Sequence, residues 1–208
     1  GEIDDLSVKA NNAYFNWTDT GVDDGAVDGI DRWNGNATKP TDITKQLITY
    51  DGSGVEDETL SVTYRNYHID TAEQFRWAMQ YFATQGDEYV KINLRADLDM
   101  SGDEGILWDS IETNFCQAQG FKRYLYIEGN GHTIYNLKIV EKSETKGAGL
   151  FSAPPAFLVV KNLGFQSSMV MHTDTTPNYA CSAGLIAAFA PQKFYFYNVH
   201  SSGAYMQI

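Results

Sequence analysis

The sequence predicts an all-β fold, a right-handed parallel β-helix preceded by one α-helix. Apolar and polar residues alternate with a period of two through residues 89–100, which is typical of a strand with one buried face. Two segments, 147–170 and 182–206, share one order: a small residue with Ala-Gly-Leu, a bend with Pro, an apolar strand, and Asn before an aliphatic residue. A repeat of one or two short strands favours a solenoid, in which each coil buries its apolar side chains against the next.

The recurring asparagines, Asn136, Asn162 and Asn198, lie 26 and then 36 residues apart inside strand-like sequence. Asparagine is uncommon in strands, but it tolerates the left-handed dihedral angles that a tight bend requires. Asparagine side chains stacked on successive coils can also hydrogen-bond to one another and to the backbone of the bend. We therefore expect the three to lie above one another. The alternative is three unrelated surface asparagines.

The composition is that of one globular body with an acidic surface. The chain has 208 residues, is 43% hydrophobic and is rich in Tyr (13), Phe (11) and Gly (18), which favours strands joined by turns. Its net charge of −12 argues against nucleic acid or an anionic membrane as a partner, because either would repel it. No apolar run reaches the roughly 18 residues that span a bilayer, so we expect no membrane insertion. We also expect a monomer.

Residues 1–60 differ from the rest, with 13 Asp and Glu against 4 Lys and Arg. Aromatic residues interrupt the acidic sequence, which is unusual for a disordered tail. We therefore expect an acidic, aromatic-containing N-terminal extension at 1–60. Residues 61–208 should then hold the capping helix (70–85) and the first coils of the β-helix. The chain ends in strand-like sequence, so we expect a fragment truncated at its C-terminus.

The helix is predicted from residues 70–86. Asp70 can serve as N-cap with Glu73 three residues later, the arrangement of a capping box. Gly86 can adopt the left-handed conformation that ends a helix. The apolar stripe consists of Phe75, Ala78, Met79 and Phe82. Further strands are predicted at 123–129, 132–140, 157–165 and 193–201.

Several short motifs carry a resemblance. In order they are "YHIDTAEQFRWAMQ", "YVKINLRADLDMSG", "WDSI", "GNGHTIYNL", "GLF" and "VVKNL". This order resembles the GLUG-type β-helix domains of bacterial secreted and cell-surface adhesin-like proteins, over roughly residues 67–203. The resemblance implies a pectate-lyase-like solenoid plugged by the helix, and a secreted or cell-surface location. The second repeat departs from the pattern with "GLI" at 184–186, and residues 1–60 lie outside it.

The ionisable residues favour structural roles over catalysis. His132 lies in a turn motif, where a histidine more often bonds backbone than acts as a general base. The acids near Asp97 and Asp99 resemble the start of an EF-hand, but the twelfth position is Trp108 instead of Glu. From residue 129 onward the acids are Glu141, Glu144 and Asp174, all in turn-like sequence. A polysaccharide hydrolase needs paired carboxylates on one groove, so we expect no enzyme within this chain.

Metal and cysteine chemistry stay open. Calcium is a possible cofactor of the acidic loop, since carboxylates on a Gly-rich segment can bind Ca²⁺; a solvated loop is the alternative. The candidate ligands are Asp23, Asp24, Asp28 and Asp31, with Asp19 nearby. Cys116 and Cys181 could be two buried thiols or one disulfide, and no cysteine spacing indicates zinc.

The aromatic residues are the best candidates for binding. Alternation places Tyr195 and Tyr197 on one face of the last strand, where two tyrosines offer flat apolar area with a polar tip to a sugar ring. Trp17 and Trp33 in the extension could do the same, or could attach the extension to the body. The leading hypothesis is a non-enzymatic cell-surface adhesion module that recognises glycans or a host or partner protein. The alternatives are part of a β-helix polysaccharide lyase or hydrolase whose catalytic residues lie beyond Ile208, and a passive stalk.

Overall fold

The computed structural model describes residues 26–49, 61–84, 89–102, 107–112, 124–142, 146–173, 182–189 and 193–207. These residues contain thirteen strands and one helix, here called α1. In chain order the elements are β1 (Ile43–Thr49), β2 (Ser61–Ile69), α1 (Ala72–Thr84), β3 (Tyr89–Leu94), β4 (Leu98–Asp99), β5 (Ile111–Glu112), β6 (Tyr124–Glu128), β7 (Thr133–Tyr135), β8 (Lys138–Glu141), β9 (Phe151–Ala153), β10 (Phe157–Gln166), β11 (Met169–His172), β12 (Lys193–Ser202) and β13 (Tyr205–Gln207).

The main sheet has eight strands in the order β1-β2-β3-β6-β10-β7-β4, with β12 also paired to β10. β1 and β2 pair antiparallel, while the other pairs in this sheet are parallel. Two smaller parallel sheets, β13-β11-β8 and β5-β9, lie beside it.

The predicted all-β right-handed parallel β-helix is wrong. The described chain is mixed α/β, with a helix in its core and a mixed sheet that is not closed. At one edge, the antiparallel pair of β1 and β2 is what departs from a parallel β-helix. Ile43 lies opposite Tyr67 and Lys45 opposite Arg65, so the chain reverses between β1 and β2. At the other edge, β12 pairs with β10 and with no other strand of the described residues.

β10 holds the main sheet together. Its first half, from Phe157 to Lys161, pairs with β6, and its last three residues pair with β7. β12 pairs along nearly the whole length of β10 on the opposite edge. The change of partner occurs at Asn162, where φ is 52°. A left-handed residue bends the strand there without ending it.

The three recurring asparagines all have left-handed backbones, with φ of 56° at Asn136, 52° at Asn162 and 50° at Asn198. They do not form one column. The Asn198 side chain donates a hydrogen bond to Asn162 Oδ1 over 3.1 Å. Asn136 lies at a different bend, where its side chain donates to Asp99 Oδ1 over 3.0 Å.

The helix begins one residue later than its predicted cap implies. The Gln74 backbone N–H donates to Thr71 Oγ1 over 3.3 Å, so Thr71 is the N-cap. Gln74 Oε1 in turn accepts from the Asp70 backbone N–H over 2.7 Å. The Asp70 carboxylate instead accepts from Arg95 Nε over 2.8 Å, and this interaction lowers the pKa of Asp70. Gly86, predicted to end the helix, lies outside the described residues.

The core is formed by α1, the inner face of the main sheet and apolar residues of the two smaller sheets. The predicted stripe of Phe75, Ala78, Met79 and Phe82 is fully buried. Trp108 packs on Phe75, with ring centroids 5.6 Å apart, and the Arg76 guanidinium lies over the Trp108 ring. Each such fully buried side chain contributes about 1.5–3 kcal/mol of burial free energy. In the described chain, α1 is too short and too polar to cross a membrane.

The strand predicted at 89–100 is broken into β3 and β4. Arg95 lies at the break, where its guanidinium bonds to Asp42 and Asp70. Asp97 accepts the Thr133 backbone N–H over 2.9 Å, which ties the same bend to β7. The period of two continues across the bend because both strands turn their apolar residues to one core.

Candidate functional site

The side of the main sheet opposite the core carries a regular array of aromatic and polar residues, here called the outer face. Strand residues alternate between the two faces, and the name is used here for the outward residues of β2, β3, β6 and the first halves of β10 and β12. The outer face consists of Tyr64, Asn66 and His68 from β2, Tyr89, Lys91 and Asn93 from β3, Tyr124, Tyr126 and Glu128 from β6, Phe157, Val159 and Lys161 from β10, and Lys193, Tyr195 and Tyr197 from β12.

One end of the outer face is a buried aromatic cluster. Tyr89 stacks on Tyr124 with ring centroids 4.7 Å apart, and Tyr124 lies 4.9 Å from Phe157. Tyr64 is fully buried and meets Tyr89 edge-on at 5.6 Å. These rings are covered, so this end serves packing and does not offer a binding surface.

The edge of the outer face that is formed by β12 is open to solvent. Tyr195 is half-buried and Tyr197 is 58% exposed. Their ring planes are within 5° of parallel, and their centroids are 6.5 Å apart. A strand backbone holds both rings in this orientation, so the pair presents two aligned aromatic groups beside solvent.

One lysine, Lys161, lies next to the open tyrosines, and a second, Lys91, lies further across the outer face beside Tyr126. Lys161 Nζ is 5.2 Å from the Tyr195 ring centroid and 5.7 Å from that of Tyr126, which is cation–π distance. Lys91 Nζ lies 4.9 Å from the Tyr126 ring centroid and donates to Gln46 Oε1 over 3.1 Å. Burial lowers the pKa of Lys91, and the Lys161 charge lowers it further, while Glu128 raises it.

Glu128 is the acidic residue of the outer face, and its oxygens are occupied. It accepts hydrogen bonds from the Tyr126 hydroxyl (3.1 Å), the Asn130 backbone N–H (3.0 Å) and the Asn162 side chain (2.9 Å). With Asn198 bonded to Asn162, these groups form a continuous line of amides and carboxylate. Hydrolysis by paired carboxylates would require a second acid here, and the described outer face contains none.

His68 forms a second polar group further along the same face. Its Nε2 lies 3.1 Å from Thr44 Oγ1, and its Nδ1 lies 3.1 Å from Asn93 Nδ2. Asn93 in turn accepts from the Asn130 side chain over 3.2 Å. The hydroxyl group of Thr44, the half-buried imidazole of His68 and the half-buried amide of Asn93 therefore form a polar group at the β1 side of the outer face.

The predicted tryptophan sites do not join this surface. Trp33 is 3% exposed, packs on Trp108 at 6.1 Å, and donates from Nε1 to the Asn36 carbonyl over 2.8 Å. It therefore attaches its segment to the body, and it offers no face to a ligand in this position. Trp17 lies outside the described residues. Of the four predicted binding residues, the structure brings together Tyr195 and Tyr197.

The predicted calcium ligands are only partly described. Asp28 and Asp31 are exposed, and the described part of the chain contains no group of three His, Cys, Asp or Glu side chains that could hold a metal. Asp23, Asp24 and Asp19 lie outside the described residues, as do both cysteines. Calcium binding stays a prediction.

The turn around His132 is built by its neighbours. His132 Nδ1 lies 3.1 Å from Asp97 Oδ1, and the same oxygen accepts the Thr133 backbone N–H. Asp99 is fully buried and accepts from the Val27 and Ser101 backbones and from the Asn136 side chain. Burial opposes ionisation of Asp99, but these hydrogen bonds outweigh it and lower its pKa. Both acids accept backbone N–H groups at bends.

The core side of β12 borders an apolar groove of about 490 Å³. Phe194 and Phe196 line it with 56% and 44% of their surface exposed. Phe165, Leu185 and Phe189 complete most of its wall. With His200 and Ser201 as its polar side chains, the groove offers few hydrogen bonds and suits apolar groups better than sugar hydroxyls.

Lys91, Lys161, Tyr126 and Glu128 were not predicted as site residues. Lys91, Tyr126 and Glu128 occupy outward positions of strands whose residues alternate, whereas Lys161 follows four consecutive apolar residues and its face is not evident from the sequence. Their mutual contacts depend on the register between strands, which the sequence does not specify. Comparison with family models, with curated proteins and with solved structures gave no match for this chain.

Proposed function

We propose that the protein is a non-enzymatic glycan-binding module of a secreted or cell-surface bacterial protein. The observation that carries this proposal is the pair formed by the half-buried Tyr195 and the exposed Tyr197, whose rings are parallel on the β12 edge of the sheet. The proposed secreted or cell-surface location is based on the resemblance to GLUG-type adhesin-like proteins.

The chemistry of the outer face suits sugars. A sugar ring has an apolar face bordered by hydroxyl groups, and tyrosine offers a flat apolar body with a polar tip. Two rings fixed on one strand lose little conformational freedom on binding, which favours affinity. Lys161, Asn198 and Asn162 lie beside the rings and supply donors and acceptors for hydroxyl groups.

A partner protein is the competing ligand, and it fits a different part of the molecule. Protein interfaces usually centre on buried apolar anchors. The apolar groove beside Phe194 and Phe196 has that character, whereas the tyrosine side of β12 is mixed and polar at its margin. The two faces of one strand therefore separate the two hypotheses experimentally.

The experiment is affinity electrophoresis through gels containing single polysaccharides: xylan, mixed-linkage glucan, mannan, polygalacturonate, alginate and mucin. The wild-type chain should be retarded by at least one gel. Tyr195→Ala with Tyr197→Ala should weaken the retarding interaction by about thirtyfold, since each lost ring contact costs about 1 kcal/mol. Tyr205→Ala is the matched control, because it removes a tyrosine from β13 in another sheet.

The remaining outcomes separate the alternatives. Release of reducing ends or unsaturated products from any of these polysaccharides would indicate a lyase or hydrolase. Retardation that survives the double tyrosine substitution would contradict the assignment of the site to the outer face. No retardation by any gel would favour a passive stalk.

A further inference from the structure

The outer face has a local charge opposite to that of the whole chain. The chain carries a net charge of −12, whereas the outer face carries Lys91, Lys161 and Lys193 against Glu128. Concentrating positive charge on one face of an acidic protein creates a local potential that attracts anions. An uncharged polysaccharide would gain nothing from this arrangement.

Lys161 is the outer-face lysine whose ammonium group has N–H donors available for a ligand. It is half-buried, and its Nζ is held between the rings of Tyr126 and Tyr195. Among the residues that the structure describes, no hydrogen-bond acceptor or carboxylate contacts this ammonium group. An ammonium group has three N–H donors. Contact with a ring face stabilises its charge but leaves these donors without a conventional hydrogen-bond acceptor.

Glu128 does not form an ion pair with Lys161, although the two residues lie directly opposite each other in the β6–β10 register. The Glu128 oxygens accept from Tyr126, Asn130 and Asn162, and no ion pair joins Glu128 to Lys161 among the described residues. Lys91 is likewise engaged by Gln46. The fold therefore places an acid next to Lys161 but directs the acid's lone pairs elsewhere.

We infer that the glycan is an acidic one, and that Lys161 binds a carboxylate or sulfate group of a sugar unit that packs on Tyr195 and Tyr197. This inference rests on the proposed glycan-binding function and specifies its ligand class. Tyr195 contacts both the expected sugar ring and the lysine, so ring stacking and anion binding occur on adjoining groups. Charge-assisted hydrogen bonds of this type are about twice as strong as neutral ones.

The test compares matched pairs of polymers by affinity electrophoresis and by isothermal titration calorimetry with short oligomers. Polygalacturonate is paired with its carboxyl-reduced, neutral form, and dextran sulfate is paired with dextran. We expect at least one acidic polymer to bind at least tenfold more tightly than its neutral partner. Which pair shows the difference identifies carboxylate or sulfate as the anion.

Lys161→Gln should lower the affinity for the acidic polymer about tenfold and the affinity for the neutral partner by a smaller factor, because glutamine loses the charge but keeps a donor for a hydroxyl group. Lys161→Arg keeps the charge and should retain most of the affinity. Lys142→Gln is the control, because it makes the same change of net charge at an exposed lysine after β8. Thermal unfolding of each variant checks that the sheet is intact, and Lys161→Met provides a second neutral variant that keeps the apolar contacts with the rings.

Three outcomes would overturn the inference. Equal affinity for acidic and neutral partners would contradict the ligand class while leaving the glycan-binding function in place, provided that the tyrosine double variant still abolishes binding. Equal effects of Lys161→Gln and Lys142→Gln would show that general electrostatics, not this lysine, attracts the polymer. Absence of binding to every polymer, neutral and acidic, would remove the proposed function itself.

Discussion

Asn198 donates its side-chain amide to Asn162 across two parallel strands, and both residues have left-handed backbones. The Asn162 side chain in turn donates a hydrogen bond to Glu128 Oε1 over 2.9 Å. One residue type therefore performs two tasks at each position: it accepts a backbone angle that most side chains disfavour, and it links neighbouring strands through its amide.

Substitution of Asn162 separates the two tasks. Asn162→Ala loses two hydrogen bonds of about 1 kcal/mol each and adds the strain of a left-handed alanine, so we expect a loss of about 2–4 kcal/mol. Asn162→Gly loses the hydrogen bonds but accommodates the backbone, and should be about 0.5–1 kcal/mol more stable than the alanine variant. Urea unfolding followed by fluorescence measures both. Equal midpoints would contradict a role for the backbone angle.

Two nearby glycines should respond very differently to alanine. A Cβ at Gly129 would lie 2.3 Å from the Asn162 carbonyl oxygen and 2.7 Å from Leu163 Cα, both backbone atoms of β10. A Cβ at Gly131, where φ is 85°, would meet nothing within 4 Å. We expect Gly129→Ala to cost about 3 kcal/mol or more, and Gly131→Ala about 1–2 kcal/mol. Chemical denaturation gives the comparison, and a reversed order would mean that β6 and β10 are not this close.

Asp99 predicts a specific dependence of stability on pH. Its pKa is lowered in the folded protein, so its contribution to stability is complete above the unfolded pKa of about 3.9 and is lost as pH falls below it. Asp99→Asn should reduce stability at about pH 7 by about 1–3 kcal/mol and flatten the loss of stability below about pH 4.

The measurement for Asp99 is a series of urea unfolding curves across the acidic range. Asp28→Asn is the matched control, because it makes the same charge change at an exposed position. A steep acid limb that persists unchanged in Asp99→Asn would assign the acid sensitivity to other carboxylates.

The apolar groove on the core side of β12 predicts self-association. Phe194 and Phe196 are exposed on a strand whose second edge carries no described partner strand, an arrangement that promotes edge-to-edge aggregation. Phe196→Lys should lower binding of an apolar dye such as ANS and reduce concentration-dependent association in sedimentation velocity. Leu47→Lys, an equally apolar exposed residue on β1, should have a smaller effect because it does not line the groove.

The sequence predicts local structure here better than it predicts architecture. The helix stripe follows directly from its period, because burial on one face selects that pattern. The strands at β6, β10 and β12 follow from their apolar, aromatic and β-branched residues, since β6 and the first part of β10 are buried on both faces and β12 is largely exposed. The antiparallel β1–β2 pair was missed because Ile43–Thr49 lies in sequence dominated by acids and loops. Whether a sheet closes on itself depends on long-range pairing, and local alternation is the same in open and closed sheets.

The candidate site was predictable in part. Tyr195 and Tyr197 share a face because a strand alternates, and this requires no knowledge of their neighbours. Trp33 could not be placed from sequence, since its burial depends on Trp108, which is remote along the chain. Lys161 was missed for the same reason: the rings that hold it come from β6 and β12, and only the register brings them together.

Among the described strands, β12 is hydrogen-bonded to β10 alone, and this has a consequence for ligand binding. Backbone amides at such a margin exchange with solvent sooner than those of the interior strands. A molecule lying across Tyr195 and Lys161 would clamp the last strand to its neighbour, so occupancy would be coupled to local order. Deuterium uptake by residues 193–202 should then slow in proportion to ligand saturation, while uptake in β3 and β6 stays constant.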